Sequence, residues 1–337
     1  MGAVSGIPWA HAEAELGMAQ DVIHRHPWRH DVRALSLHRR GESAPTPSCS
    51  TVLITGASSG IGRATALRLS RPGMGIALVS RSEETLRLVQ EQCRSRGADT
   101  CVVVADVADA EAVERAFRQA STALGPLDAV VHSAAALAYG RFEDVPAEVF
   151  DRALDTTLGG TVNVSRSALA HFRANGGCGS LVLLGSLLGK IATPYMSSYV
   201  TAKWAVHGLA RALQIEARGS PGISVSLVTP GSVDTPVYRQ AGTYVGVNGR
   251  PPPPVTTPER VAEAVAAALD RPVRDRDVGV SNPFVVFAFR AMPGLFDVLV
   301  RPLMRLSGLS RNPVGPTPGN VLEPVPSGED VRGGWLS

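Results

Sequence analysis

With 337 residues, 44% hydrophobic and 19% charged, the chain is long enough for one large core with appendages and has an ordinary globular composition. A formal net charge of +3 with scattered arginines excludes a charge-driven nucleic-acid binder. Cys49, Cys93, Cys101 and Cys178 form no CxxC pair and no His cluster stands at ligand spacing, so no disulfide framework and no metal site are expected.

No apolar run approaches the roughly 20 residues of a spanning helix, and the N-terminal stretch lacks the apolar centre of an export signal. We therefore expect a cytoplasmic protein with reduced thiols. Residues 1–49 are rich in His, Arg and Pro, show a faint helical period around Ala10 to Val22, and read as a flexible N-terminal extension. His24, His26 and His30 lack carboxylate or Cys partners there, which argues against a metal role.

At Thr51 the texture changes to TVLITGASSGIGRATALRLS. The β-type run Val52 to Ile54 feeds a Gly-rich turn and then an amphipathic helix with Ile61, Ala64, Leu67 and Leu69 inward. Gly56, Gly60 and Gly62 are spaced as TGxxxGxG around Ser58 and Ser59. Such spacing lets the backbone pass close to a pyrophosphate, with the amides and dipole of the helix N-terminus aimed at the anion. A Gly-rich turn alone can be a plain connection, but here it sits between a strand and a helix, as a dinucleotide site requires.

The next strand, Gly75 to Ser80, ends in SRSEE. An acidic residue at this place reads the free 2′-hydroxyl of NAD and a basic one accommodates the 2′-phosphate of NADP. Arg81 stands there, which favours NADP over NAD; its bland role is a solvated loop cation. A helix over Glu83 to Arg96, a strand over Thr100 to Ala105, Asp106-Val107, and a helix from Asp109 to about Ala123 follow. Asp106 can meet an adenine amino group or cap the segment after it. Strand Asp128 to Val131 leads into His132-Ser133-Ala134-Ala135, and Pro146 starts a long helix to about Ala174. Leu181 to Leu184 and Ile223 to Val228 read as the fifth and sixth strands. The fold class is α/β, a Rossmann-like doubly wound parallel sheet of about seven strands with helices on both faces. Ligands of such sheets bind at the carboxyl ends of the strands.

The stretch LGSLLGKIATPYMSSYVTAK brings Ser186, Tyr199 and Lys203 to that edge. If the residues from Ser197 onward are helical, Tyr199 and Lys203 share one face, with Cβ atoms roughly 5–6 Å apart. An ammonium beside a phenol favours the phenolate and lowers its pKa, while Ser186 can hydrogen-bond a substrate oxygen. A Tyr four residues from a Lys is also common on helices with no chemistry attached.

Residues from about Thr51 to Asp270 resemble the short-chain dehydrogenase/reductase family. The resemblance rests on TGASSGIG, Asp106-Val107, LDAVVHSAA, the Ser186…Tyr199-x-x-x-Lys203 spacing and VTPGSVDTP. It implies that Ser186 polarises the substrate oxygen, Tyr199 exchanges the proton, and Lys203 lowers the Tyr199 pKa and binds the nicotinamide ribose. It further implies that Ile61 places an amide by the pyrophosphate, that Val107, Ser133 and Ala134 border the adenosine side, and that Pro230, Gly231, Val233 and Thr235 line the nicotinamide end. Members of the family commonly pair through their long helices, here Pro146 to Ala174 and Ser197 to Ala217. Two departures stand out: His132-Ser133-Ala134-Ala135 replaces the usual NNAG, and Thr157 replaces the usual Asn that holds a relay water. They predict slow rather than absent turnover. The alternative is a dinucleotide-binding sensor or assembly protein with weak or no activity.

Leu137, Leu187, Leu188, Tyr195 and Met196 flank the proposed site without a charge among them, which predicts a lipophilic secondary alcohol or ketone as substrate. Thr257 is an expected N-cap with Pro258 at the first helical position, and Val278 to Val280 an expected edge strand. The catalytic domain is thus expected over residues 50–280. The apolar segment 281–309, broken into two helices at Pro293-Gly294, has two readings: it closes the substrate pocket or packs on a second subunit, or it rests on a membrane surface. Residues 310–337 read as a disordered tail.

Overall fold

The computed structural model of the protein describes residues 49–336. The extension expected over residues 1–49 therefore lies, except for Cys49, outside the described residues. The runs rich in Val, Ile and Leu form β1 (Thr51–Thr55), β2 (Gly75–Ser80), β3 (Asp99–Val104), β4 (Ala129–His132), β5 (Gly179–Leu184), β6 (Ile223–Pro230) and β7 (Arg276–Val278). They join in one sheet of seven strands, in the order β7-β6-β5-β4-β1-β2-β3, with every pairing parallel. Every residue of β1 is buried, as a central strand covered on both faces requires. The chain leaves β1 in one direction through β2 to β3 and returns on the other side with β4, so the switch point lies between β1 and β4.

The helices of eight residues or more are α1 (Gly60–Leu69), α2 (Glu83–Arg94), α3 (Ala110–Leu124), α4 (Ala147–Leu154), α5 (Gly160–Ala174), α6 (Ser197–Glu216), α7 (Pro258–Asp270), α8 (Asn282–Ala291) and α9 (Pro293–Leu303). On one face of the sheet Ala66 of α1, Leu86 and Val89 of α2, and Val261 and Val265 of α7 pack with Ile54 and Ile76. On the other, Phe117 of α3, Phe172 of α5 and Ala210 of α6 pack with Leu53 and Leu181. The Thr257 side chain accepts a hydrogen bond from the Arg260 amide at the start of α7, as expected from its sequence. In place of the single helix expected from Pro146, the chain forms α4, a π-helical turn over Asp155–Gly159, and α5. That wide turn carries the buried Thr156 and Thr157.

Pro293 ends the α8 direction and opens α9, because its ring removes a donor and clashes with the preceding turn. The disordered tail expected over 310–337 is corrected by the structure, which shows an ordered strap. β8 (Leu309–Pro313) pairs antiparallel with Val247–Gly249, Thr317 bridges Thr243, and Val321 is fully buried near Ala136, Ala138 and Val149. Its Pro- and Gly-rich composition hides this order, since most of the strap is held through its backbone.

Candidate active site

The loops at the carboxyl edge of β1 to β6 converge on a groove. Gly56 has φ +67°, and a Cβ there would stand 2.9 Å from the Ala134 amide nitrogen, so only glycine fits without strain. A Cβ on Gly62 would overlap the Gly56 carbonyl, so α1 packs directly on the turn. Ser58, Ser59, Gly60 and Ile61 line the groove beside the N-terminus of α1, as does Thr156, whose buried hydroxyl has no hydrogen-bond partner in the protein. Close backbone approach at the turn and an unsatisfied buried hydroxyl fit a dinucleotide along the groove, and the Gly60 amide at the start of α1 is held by the Asp330 carbonyl. Gly62 itself shapes the turn and does not line the groove.

Across the groove, the Thr55 hydroxyl accepts from the amides of Ser133 at 3.2 Å and Ala134 at 3.4 Å, and meets His132 Nδ1 at 2.8 Å. With both amides donating to it, the hydroxyl donates to Nδ1. Burial pushes the His132 pKa down to about 3, so the ring is neutral. His132 and the Ser133 and Ala134 amides, where this chain departs from NNAG, are thus all tied to the Thr55 hydroxyl. Asp106 pairs with Arg152 and accepts from the Ala108 amide at 3.0 Å, so it caps the segment after β3 while it borders the groove. Its neighbour Val107 also borders the groove and packs where Gly160 leaves room.

Ser186 follows β5, Tyr199 and Lys203 lie on α6, and Pro230 ends β6. The Ser186 Oγ accepts from the Leu188 amide at 3.1 Å, and the Ser186 amide donates to His207 Nε2 at 3.3 Å. Burial lowers the His207 pKa to about 4, so this ring is neutral. Because Nε2 accepts, the proton sits on Nδ1. His207 continues the face of Tyr199 and Lys203 at the next i+4 position. That spacing is present in the sequence, but nothing in the sequence alone gives the ring a role.

The buried Lys203 donates from Nζ to the Leu184 carbonyl at 2.7 Å, and burial lowers its pKa to about 8. Tyr199, half-buried, has its pKa raised to about 12 by desolvation of its oxygen, against which a hydrogen bond with Ser186 pulls downward. The expected depression of the phenol by Lys203 does not appear in this arrangement: the ammonium is turned to a carbonyl and desolvation dominates.

Tyr199 borders two spaces. One is the groove, shared with Lys203. The other is a cavity of about 540 Å³ whose lining includes Ser186, Leu137, Leu187, Leu188 and Met196 and contains no charged side chain. Tyr195, expected among them, lies outside the lining and carries φ +70°. Pro230, Thr235 and Ile61 border both spaces, while Gly231 and Val233 border the cavity. Side chains of α8 and α9 form part of the cavity wall.

Sequence reasoning missed the strap's share of the groove. Arg81 reaches across to it, donating to the carbonyls of Asn320 at 2.5 Å, Leu322 at 3.2 Å and Val321 at 3.3 Å. The Ser82 hydroxyl donates to Glu329 Oε1 at 2.8 Å, and the Gly60 amide to the Asp330 carbonyl at 2.8 Å. Asn320 and Glu329 thereby join the groove wall. No short-range pattern in the strap signals these contacts.

Residues 50–244 match the profile described as short chain dehydrogenase, which is more than half of the chain. The chain belongs to the short-chain dehydrogenase family. Among its relatives is "Uncharacterized oxidoreductase YxnA" of Bacillus subtilis (strain 168), 32% identical over 85% of this chain and 82% of that protein. A solved alcohol dehydrogenase from Thermococcus sibiricus, complexed with 5-hydroxy-NADP, is 30% identical with a TM-score of 0.58, over 68% of this chain and 94% of that one. A short chain dehydrogenase of Mycobacterium paratuberculosis bound to NAD is 27% identical with a TM-score of 0.60, over 68% and 96%. The short-chain dehydrogenase described here is therefore an oxidoreductase with an NAD(P)-binding Rossmann-like fold. In it Thr157 is committed to the backbone: its hydroxyl accepts from the Ala136 amide and donates to the Ala136 carbonyl, both at 3.0 Å.

Proposed function

We propose that this short-chain dehydrogenase is an NADP-dependent oxidoreductase that interconverts a lipophilic ketone and its secondary alcohol, with Tyr199 exchanging the proton. The observation that carries the reading is the position of Tyr199 at the junction of the groove and the uncharged cavity. A nicotinamide dinucleotide in the groove supplies or accepts the hydride. In the reducing direction Tyr199 gives its proton to the carbonyl oxygen while the Ser186 hydroxyl hydrogen-bonds the same atom. The Ser186 hydroxyl bonded to Tyr199 pulls the phenol pKa downward, against the desolvation that raises it. With no charge in its lining, the cavity offers nothing to pair with a carboxylate or phosphate, whereas apolar surface is buried there at a gain of about 25 cal/mol per Å².

The NADP preference is supported by Arg81. The strap carbonyls fix its guanidinium beside the groove and, being neutral, leave its charge available to a 2′-phosphate. The test is NADPH and NADH oxidation with a panel of apolar ketones, comparing the wild type with Tyr199→Phe. Turnover of panel members that Tyr199→Phe abolishes is expected. A wild type that binds dinucleotide and reduces none of them, indistinguishable from Tyr199→Phe, overturns the reading.

A further inference from the structure

The outer helices carry a feature that catalysis does not use. The sequences of α8 and α9, NPFVVFAFRA and PGLFDVLVRPL, are strongly apolar, yet Asn282 is the one fully buried residue of the pair. Phe284 is 76% exposed, Val298 70% and Phe287 64%. Apolar helices ordinarily bury a face, and a contiguous exposed apolar surface marks an interaction site. Phe289 of α8 meets Trp204 of α6 at 6.2 Å and Phe296 of α9 at 5.1 Å between ring centroids, and the Asn282 side chain donates to the Thr229 carbonyl at 3.3 Å.

The exposed surface runs into the cavity. Phe284, Leu295, Leu299 and Leu303 are exposed and also line it, so the cavity mouth opens within the apolar face. Arg290 and Arg301 on the helices and Arg305 just beyond are exposed, and none forms an ion pair among the described residues. Asp297 is the single acidic residue of α8 and α9.

We propose that this face seats the protein on an anionic phospholipid surface, with α8 and α9 lying in the interface and the cavity mouth against the acyl chains. The helices have 10 and 11 residues, and no helix among the described residues is long and apolar enough to cross a membrane. Apolar side chains ringed by arginines suit the plane of an interface, each cation contributing about 1 kcal/mol near anionic headgroups. A second copy is the competing occupant. The face carries three arginines against one aspartate, so two copies meeting through it would set like charges against each other. The surface also narrows the substrate to a ketone or alcohol that partitions into a bilayer. That narrowing rests on the function proposed above; the docking itself does not.

The test is flotation of the full chain with vesicles of phosphatidylcholine alone or mixed with phosphatidylglycerol. The wild type floats with the anionic vesicles and loses them in high salt. A Phe287→Glu/Val298→Glu variant, altered at two exposed positions outside the cavity lining, shows a bound fraction lower by about tenfold or more. The same variant keeps the wild-type melting temperature and circular-dichroism spectrum, which confirms its fold. An Arg290→Gln/Arg301→Gln variant loses preference for anionic vesicles and keeps its melting temperature. A wild type that stays at the bottom of the gradient with both vesicle types overturns the proposal. So does a dimer in light scattering that Phe287→Glu/Val298→Glu splits, which assigns the face to a second copy.

Discussion

Lys203 and Tyr199 share one face of α6, with Nζ 5.6 Å from the ring centroid, yet the ammonium donates to the Leu184 carbonyl rather than to the phenol. The two residues therefore have separable tasks. Replacing Tyr199 by Phe removes the proton donor and leaves the ring's packing, so kcat/KM for an apolar ketone falls by about 10²- to 10⁴-fold while dinucleotide affinity holds. Lys203→Met lowers both, because Lys203 borders the groove. Steady-state kinetics with fluorescence titration of NADPH checks this. Equal losses of affinity in the two variants contradict it.

The depressed Lys203 pKa has a stability consequence. Its folded value is about 8 against an ordinary 10.5. Below pH 8 both folded and unfolded chains are protonated, and the folded one carries the full desolvation penalty. Between pH 8 and 10.5 the unfolded chain holds more protons, so stability rises with pH by at most about 1.4 kcal/mol per unit. Tyr199 acts oppositely but later: its folded value of about 12 against 10 erodes stability only above pH 10. From pH 8 to 10 the melting temperature of the wild type therefore climbs relative to that of Lys203→Met. A constant difference over that range excludes a buried, charged Lys203.

Arg81 holds the strap and faces the groove, and two substitutions divide those roles. Arg81→Ser raises KM for NADPH by about tenfold or more and changes NADH less, because a charge-assisted contact to phosphate is lost. Arg81→Lys keeps the charge but not the fork that spans the carbonyls of residues 320–322, so NADPH preference survives in part while limited proteolysis cuts the strap sooner. Equal effects on both dinucleotides reduce Arg81 to an anchor.

Thr157→Val deletes the one side-chain oxygen that bonds both the amide and the carbonyl of Ala136 at a fully buried site. Leaving those groups unpaired costs about 1–3 kcal/mol. Urea denaturation measures it. An unchanged midpoint means that water replaces the hydroxyl.

Much of this site was legible because its determinants are local. Gly56 and Gly62 are demanded by close backbone approach, and Tyr199 and Lys203 by helical spacing, so each left its mark within a few residues of sequence. Pro293 likewise announced the break between α8 and α9. The strap was opaque for the opposite reason: Asn320, Val321 and Leu322 meet Arg81 through main-chain oxygens, which every residue type possesses. The direction of the Tyr199 shift was misjudged because the sequence shows that an amine is near but not which carbonyl it serves. Thr157 was seen as a substitution, while its partner Ala136 emerged only with the π-helical turn.

The strap also imposes an order on biosynthesis. A ribosome has already made β7, the final strand of the sheet, at Val278, when Asn320, Glu329 and Asp330 are still untranslated. The residues that complete the sheet are thus made before those of the strap that flanks the groove. Domains fold as units while synthesis proceeds.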